Sequence, residues 1–403
     1  VKREEKKMDI NKKYHFDTNA IHAGNDGENP SYALNPPIFQ TSTFVFEDLN
    51  HVERVMSFES DDYVYTRGNN PTLRLFENKM TALEEGNGAV AFASGMAAIS
   101  SVLFSLLRAG DNVIVNRTVY GSTFNVLKKV LPKYSISHKV TDLSKLENLE
   151  ALIDEKTKVI YFETPCNPNL TIVDIKRVVG IAKKHGVKVV VDNTFASPYF
   201  QRPLTFGVDV VIHSATKYIC GHGDVIGGVV VSNDMDYIVS LKFEYMCEFG
   251  GVMSPFNAWL LLRGLKTLGL RMRQHEANAM EIAKFLEEHP KVTRVMYPGL
   301  ESFLGYQVAK EQMDGFGGMI IFEVIGGIEE AKKVLNGVKL LQIAVSLGDC
   351  ESLIEHPASM THRGYPQEKL EEFGLTENMI RISVGLECVR DIIADLENAL
   401  ALL

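Results

Sequence analysis

Through the middle of the chain, short apolar runs alternate with stretches whose apolar residues recur every three or four positions. The runs are AVAFA (89–93), NVIVN (112–116), KVIYF (158–162), VKVVV (187–191), DVVIH (209–213) and GGVVV (227–231). They read as strands, and the helical spacing between them predicts helices near 95–108, 121–131 and 174–185. Such alternation implies an α/β domain with a mostly parallel sheet covered on both faces. Upstream, Pro71 can open a helix in which Leu73, Phe76, Met80 and Leu83 share a face until Gly86 stops it. Residues 14–66 carry Pro30, Pro36 and Pro37 and no sustained period, which predicts an extended arm that wraps something. A long helical pattern begins near Ser254-Pro255 and runs toward Glu288. Beyond it, GMIIFEV (318–324), LLQIAVS (340–346) and MIRISVG (379–385) read as strands, with helices near 328–336 and 389–402. The organisation expected is a tail and arm over 1–66, a large α/β domain over 67–260 and a smaller α+β domain over 261–403.

Composition narrows the function classes. The 403 residues are 45% hydrophobic and 23% charged, the ordinary balance of a folded, soluble chain. A net charge of −9 supplies no positive field for a polyanion, so nucleic acid is not an expected partner. The opening VKREEKKMDINKK mixes both charge signs and lacks the apolar segment of an export signal, so we expect a mobile tail. The run SSVLFSLL is short and bounded by Arg108 and Asp111, and no membrane span is expected. The cysteines Cys166, Cys220, Cys247, Cys350 and Cys388 are odd in number and scattered, which fits a reducing cytoplasm better than a disulfide framework or a zinc site. His213 and His222 have no partner at metal spacing, so no metal is expected.

In a sheet of this kind, ligands bind beyond the carboxyl ends of the strands. Three sets of residues fall there. Asp192-Asn193-Thr194 follows one run, Ser214-Ala215-Thr216-Lys217 follows the next, and Ser94-Gly95-Met96 follows AVAFA and opens a helix. Small residues at a strand-to-helix turn expose backbone N–H groups at a positive helix end, which suits a phosphate. Tyr65-Thr66-Arg67 offers a guanidinium that could complete the phosphate clamp from elsewhere in the assembly. Each set has a plain alternative: an ion pair, a tight turn that needs glycine, a surface arginine. Jointly, a lysine, an acid and a phosphate cradle at one sheet edge are the parts of a pyridoxal 5'-phosphate (PLP) site. GHGDVIGG (221–228) has the wrong glycine spacing for a dinucleotide loop and is followed by a strand, which counts against an NAD-linked oxidoreductase. Ser94 lies in F-A-S-G-M rather than G-x-S-x-G, so a serine hydrolase has little support.

NNPT (69–72), ASGMAAIS (93–100), ETPCNP (163–168), VVVDNT (189–194), HSATKYICGHGD (213–224), AVSLGDCESLIEHPASMTH (344–362) and RISVGLE (381–387) resemble, in order and spacing, the signature segments of the PLP-dependent cysteine and methionine metabolism family. The resemblance runs from about residue 18 to the C-terminus, and the family includes cystathionine synthases and lyases, methionine γ-lyases and O-acetylhomoserine sulfhydrylases. It implies the PLP-dependent transferase fold of type I. It further implies that Lys217 carries the cofactor, Asp192 pairs with its pyridine nitrogen and Tyr120 stacks on its ring. Ser94, Gly95, Met96, Ser214 and Thr216 would bind the phosphate, with Tyr65 and Arg67 reaching in from a neighbouring subunit. Arg381, helped by Asn167 and Ser346, would grip the substrate carboxylate, and Tyr120 would protonate the departing thiol. The assembly implied is a homotetramer of dimers that share active sites.

Within that family, cystathionine-handling members usually carry Glu where this chain has Val345, and the stretch around it resembles methionine γ-lyases most. Ser122 stands where those lyases usually have cysteine, and Met246-Cys247 where they usually have Lys-Asp. The expectation is a carbon–sulfur lyase that performs γ-elimination on methionine or homocysteine. Cystathionine γ-lyase or γ-synthase, O-acetylhomoserine sulfhydrylase and a non-catalytic PLP-binding protein are the alternatives.

Overall fold

A computed structural model describes residues 14–24, 33–57, 59–363, 370–372 and 374–403. The expected tail at 1–13 and Pro30 lie outside them. Seven strands form the first sheet: β1 (Gly88–Phe92), β2 (Asn112–Asn116), β3 (Ser137–Thr141), β4 (Thr157–Glu163), β5 (Lys188–Asp192), β6 (Val210–His213) and β7 (Gly228–Ser232). Their spatial order is β1-β7-β6-β5-β4-β2-β3, parallel throughout except that β7 runs against both its neighbours. Every residue of β1, β2, β6 and β7 is buried, as expected of strands covered on both faces. β3 escapes the apolar pattern because it is an edge strand of sequence SHKVT, half exposed along its length.

The second sheet joins β8 (Val292–Met296), β9 (Met319–Val324), β10 (Gln342–Ile343), β11 (Leu353–Glu355) and β12 (Met379–Ser383) in the order β10-β11-β12-β9-β8. All pairs are antiparallel except β10 with β11. The run LLQIAVS gives only the two residues of β10, because Ser346 takes a φ of 92° and turns the chain out of the ladder.

Two further expectations need correction. The long helix of 254–288 is two helices, Pro255–Leu265 and Leu268–Glu288. The Gly264 carbonyl accepts from the Thr267 N–H, from Thr267 Oγ1 and from Arg271 Nη2 at 2.9 Å, so the four-residue ladder ends there. Gly264 itself is required by packing, since a Cβ would lie 2.3 Å from the Cys220 carbonyl oxygen. The arm of 14–66 is not wholly extended: it carries the helices Phe16–His22 and Leu49–Met56, and Thr43 pairs with Tyr65. The Pro71 helix forms over Pro71–Leu83 as expected, with the Asn70 side chain accepting the Thr72 N–H. Among the described residues no helix is long and apolar enough to cross a membrane.

Candidate active site

Parallel strands deliver their last residues to one edge. Glu163 ends β4 and Asp192 ends β5, directly opposite each other in register. Ser214, Thr216 and Lys217 follow β6 within four residues, and Ser94-Gly95 follows β1. These side chains, with a loop and a strand of the second sheet, enclose a cavity of about 260 Å³. Twelve of the fourteen residues singled out in the sequence line it: Ser94, Gly95, Met96, Tyr120, Asn167, Asp192, Ser214, Thr216, Lys217, Val345, Ser346 and Arg381. Tyr65 and Arg67 do not. They are exposed and border a separate cavity of about 640 Å³ with Met235, Phe243 and Cys247.

The 12-residue helix Gly95–Leu106 points its N-terminus at this cavity. Ser94 caps it by accepting the Ala97 N–H at 3.0 Å, and the Gly95 and Met96 N–H groups make no hydrogen bond among the described residues. The turn admits no side chain: a Cβ on Gly95 would meet Ser214 at 2.9 Å, and one on Gly228 would meet the Ser94 carbonyl oxygen at 2.3 Å. Thr194 Oγ1 accepts the Ser214 N–H at 2.8 Å and donates to Asp192 Oδ1 at 2.5 Å, tying the two strand ends together.

Burial raises the Asp192 carboxyl, while the Thr194 hydroxyl and N–H pull it back. Burial first, and then the neighbouring Asp192 charge, push Glu163 up to about 8. Burial and mutual repulsion thus make it harder for both carboxyls of the pair to be ionised at once. Glu163 also orders the cavity wall, since its oxygens accept the Tyr120 N–H at 2.6 Å and the Asn167 N–H at 3.3 Å. Burial, followed by the Arg381 charge, brings Lys217 down to about 8. Its Nζ donates to Ser346 Oγ at 2.7 Å.

Arg381 lies mid-strand in β12 and is 2% exposed. Its Nη1 donates to Asn167 Oδ1 at 3.0 Å and stands 3.0 Å from Glu355 Oε1, and its Nη2 donates to the Ser346 carbonyl at 2.7 Å. Nε has no partner among the described residues. Ser346 thus holds the lysine with its hydroxyl and the arginine with its carbonyl, and it does so from a backbone conformation that non-glycine residues rarely adopt.

The sequence reading missed Glu163, Thr361 and Glu355 and gave Thr194 no role of its own. Glu163 and Thr194 were within reach of the strand-end rule that found Asp192. Glu355 was not, because its significance comes from lying opposite Arg381 across β11 and β12. Cys247 Sγ donates to the Arg67 carbonyl at 3.2 Å, and Arg67 Nη1 donates back to the Cys247 carbonyl at 3.2 Å. Ser122 lies two residues beyond Tyr120 in the short helix Gly121–Asn125, and Met246 is core. His213 faces the buried Glu84 at 2.5 Å, and His222 faces the Cys220 carbonyl at 2.8 Å.

A helix end with free N–H groups, a buried carboxylate, a lysine brought near neutrality and a tyrosine, all in one cavity, form a donor set that fits PLP. Comparison with known proteins agrees. The family model for Cys/Met metabolism PLP-dependent enzymes matches residues 17–401. An L-methionine gamma-lyase of Fusobacterium nucleatum subsp. polymorphum is 48% identical over 96% of this chain and 98% of the relative. A cystathionine beta-lyase of Lactococcus lactis subsp. cremoris is 44% identical over 95% of this chain and 98% of its own. Among solved structures, metB from Corynebacterium glutamicum superposes with a TM-score of 0.92 at 42% identity, covering 98% and 99% of the two chains. A putative O-acetylhomoserine (thiol)-lyase of Campylobacter jejuni, solved with a pyridoxyl-lysine monophosphate, gives 0.93 at 32% identity, with 96% and 100% covered. With 385 of 403 residues inside the family match and near-full-length relatives well above 30% identity, this chain belongs to the Cys/Met metabolism PLP-dependent enzyme family.

Proposed function

We propose that the protein is a carbon–sulfur lyase that performs γ-elimination on short sulfur amino acids, methionine or homocysteine first. With one water consumed, the products are 2-oxobutanoate, ammonia and a thiol. One observation carries the reading: Ser346 bridges Lys217 and Arg381, so the amine and the guanidinium stand on either side of one residue. An amino acid whose carboxylate rests on Arg381 then presents its Cα to Lys217.

Bound PLP supplies the electron sink that makes the protons on Cα and Cβ removable. Lys217, near 8, takes and returns a proton at working pH, which an ordinary lysine would do poorly. The Gly95 and Met96 N–H groups, with Ser214 and Thr216, would hold the phosphate. Asp192 would pair with the pyridine nitrogen of the bound cofactor, held in place by the Thr194 hydroxyl. Tyr120, in the cavity wall, would stack on the cofactor ring and would be the acid for the leaving sulfur. Arg381 binds the carboxylate in a two-point manner that lysine would not reproduce, with Asn167 and Ser346 steadying it. Tyr65 and Arg67, exposed and outside this chain's own cavity, serve the phosphate site of a neighbouring subunit, so the working unit is a dimer within a tetramer. A reducing cytoplasm is its compartment.

Val345 favours methionine over cystathionine: it is apolar, lines the cavity and is 53% exposed, so a thioether methyl meets it where a distal ammonium would find no acid. Ser122 and the Met246-Cys247 pair keep cystathionine cleavage as a second reading, which the 44% identical cystathionine beta-lyase also supports. Assaying keto-acid release from methionine, homocysteine, cystathionine, cysteine and O-acetylhomoserine under matched conditions separates them. Cystathionine turned over far faster than methionine would replace the first reading with the second.

A further inference from the structure

Arg381 does not wait alone for a substrate. Glu355, 1% exposed, lies opposite it in the β11–β12 ladder with Oε1 3.0 Å from Nη1. The same oxygen accepts the Thr361 hydroxyl at 2.8 Å, and the Thr361 carbonyl lies against Gly121, where a Cβ would approach to 2.2 Å. Glu355 therefore links the guanidinium to the backbone beside Tyr120. The Arg381 Nη1 donates to Asn167 and its Nη2 to the Ser346 carbonyl, while Glu355 pairs with Nη1 as a charge 3.0 Å away. The Nε of this guanidinium is buried and has no partner among the described residues, so it keeps a donor that a bound carboxylate could satisfy.

We propose that Glu355 is a positioning residue that fixes the Arg381 guanidinium and, as a competing anion on it, limits how tightly any α-carboxylate is held. The inference rests on the reading of Arg381 as the carboxylate site. Two carboxylates on one guanidinium repel, and at an effective dielectric near 20 that repulsion amounts to roughly one to two powers of ten in affinity. The consequence for turnover is release: the product keto acid keeps its carboxylate but has lost the amine that the cofactor captures, so a weakened carboxylate grip favours its departure.

The test uses the PLP-loaded enzyme and two non-reacting ligands, L-norleucine and L-norleucinamide, which differ only in the carboxylate. Glu355→Gln retains an acceptor for Nη1 and removes the charge. It should bind norleucine about tenfold more tightly, leave norleucinamide within about twofold, and be inhibited more strongly by 2-oxobutanoate. Norleucine binding that is unchanged or weaker overturns the inference. If the glutamine variant loses its cofactor or its fold, Glu355→Asp draws the charge back by one methylene and should tighten norleucine in the same direction by a smaller factor. Weaker binding there overturns the inference as well. Arg381→Met should abolish the preference for norleucine over its amide. If it does not, the carboxylate site itself is misassigned, a failure distinct from that of the glutamine variant.

Discussion

The cavity has two walls made in different ways. The wall carrying Ser94, Glu163, Asp192 and Lys217 is assembled from the ends of parallel strands, each residue placed by the strand before it. The wall carrying Ser346 and Arg381, with Glu355 paired to the arginine, belongs to the second sheet's side, with Arg381 in the middle of a buried strand and Ser346 in a strained turn. The first wall reaches the site through topology, the second through charge pairing inside a core. Chemistry placed by topology should be insensitive to single neighbours, whereas chemistry set by a buried ion pair should change when either partner is altered.

The most severe way to break this division is at Lys217. Lys217→Ala should lower 2-oxobutanoate formation from methionine at least about a thousandfold. In the parent, borohydride reduction followed by peptide mapping should place the cofactor on that residue; an unmodified Lys217 would end the proposal. Next in size is Arg381→Leu, which strips one partner from a buried pair and leaves the Glu355 charge uncompensated. It should cost about a hundredfold or more in kcat/KM while the cofactor stays bound. Loss of the cofactor along with activity would show that the two walls are not separable. Val345→Glu should shift the preference from methionine toward cystathionine by about tenfold with little change in stability, since the position is half exposed. Side-by-side keto-acid assays measure it.

The smallest effect tests communication between the walls. Lys217 is held near 8 by burial and then by the Arg381 charge, so its neutral, nucleophilic form is depleted below that pH and complete above it. The rate at which cofactor-free protein recombines with PLP should rise with pH around a midpoint near 8, not near 10.5. Removing Arg381 removes a cation that depresses the amine, so in Arg381→Leu the midpoint should move upward.

The same division explains what could be read from the chain. Strand ends are local: an apolar run followed by Asp192-Asn193-Thr194 or by Ser214 to Lys217 announces both its strand and its place at the sheet edge. Glu163 obeys the same rule, since it directly follows KVIYF. Arg381 was reached through resemblance alone, because inside MIRISVG nothing local distinguishes a buried functional arginine from an edge-strand charge. The Glu355 pairing needs the register of two strands separated by a loop. β3 was invisible because a half-exposed edge strand carries no apolar run, and the break at Gly264 because it depends on Arg271 reaching back to a carbonyl.

That last contact has a mechanical side. Arg271 Nη1 also donates to the Tyr218 carbonyl at 2.7 Å, so a single guanidinium pins both the joint between the two long helices and the peptide next to Lys217. The joint leads from the first sheet's half of the chain into the second's. The backbone beside Lys217 is thereby anchored to the helix that leads into the second half, so the amine's position is tied to that helix and not to its own strand alone.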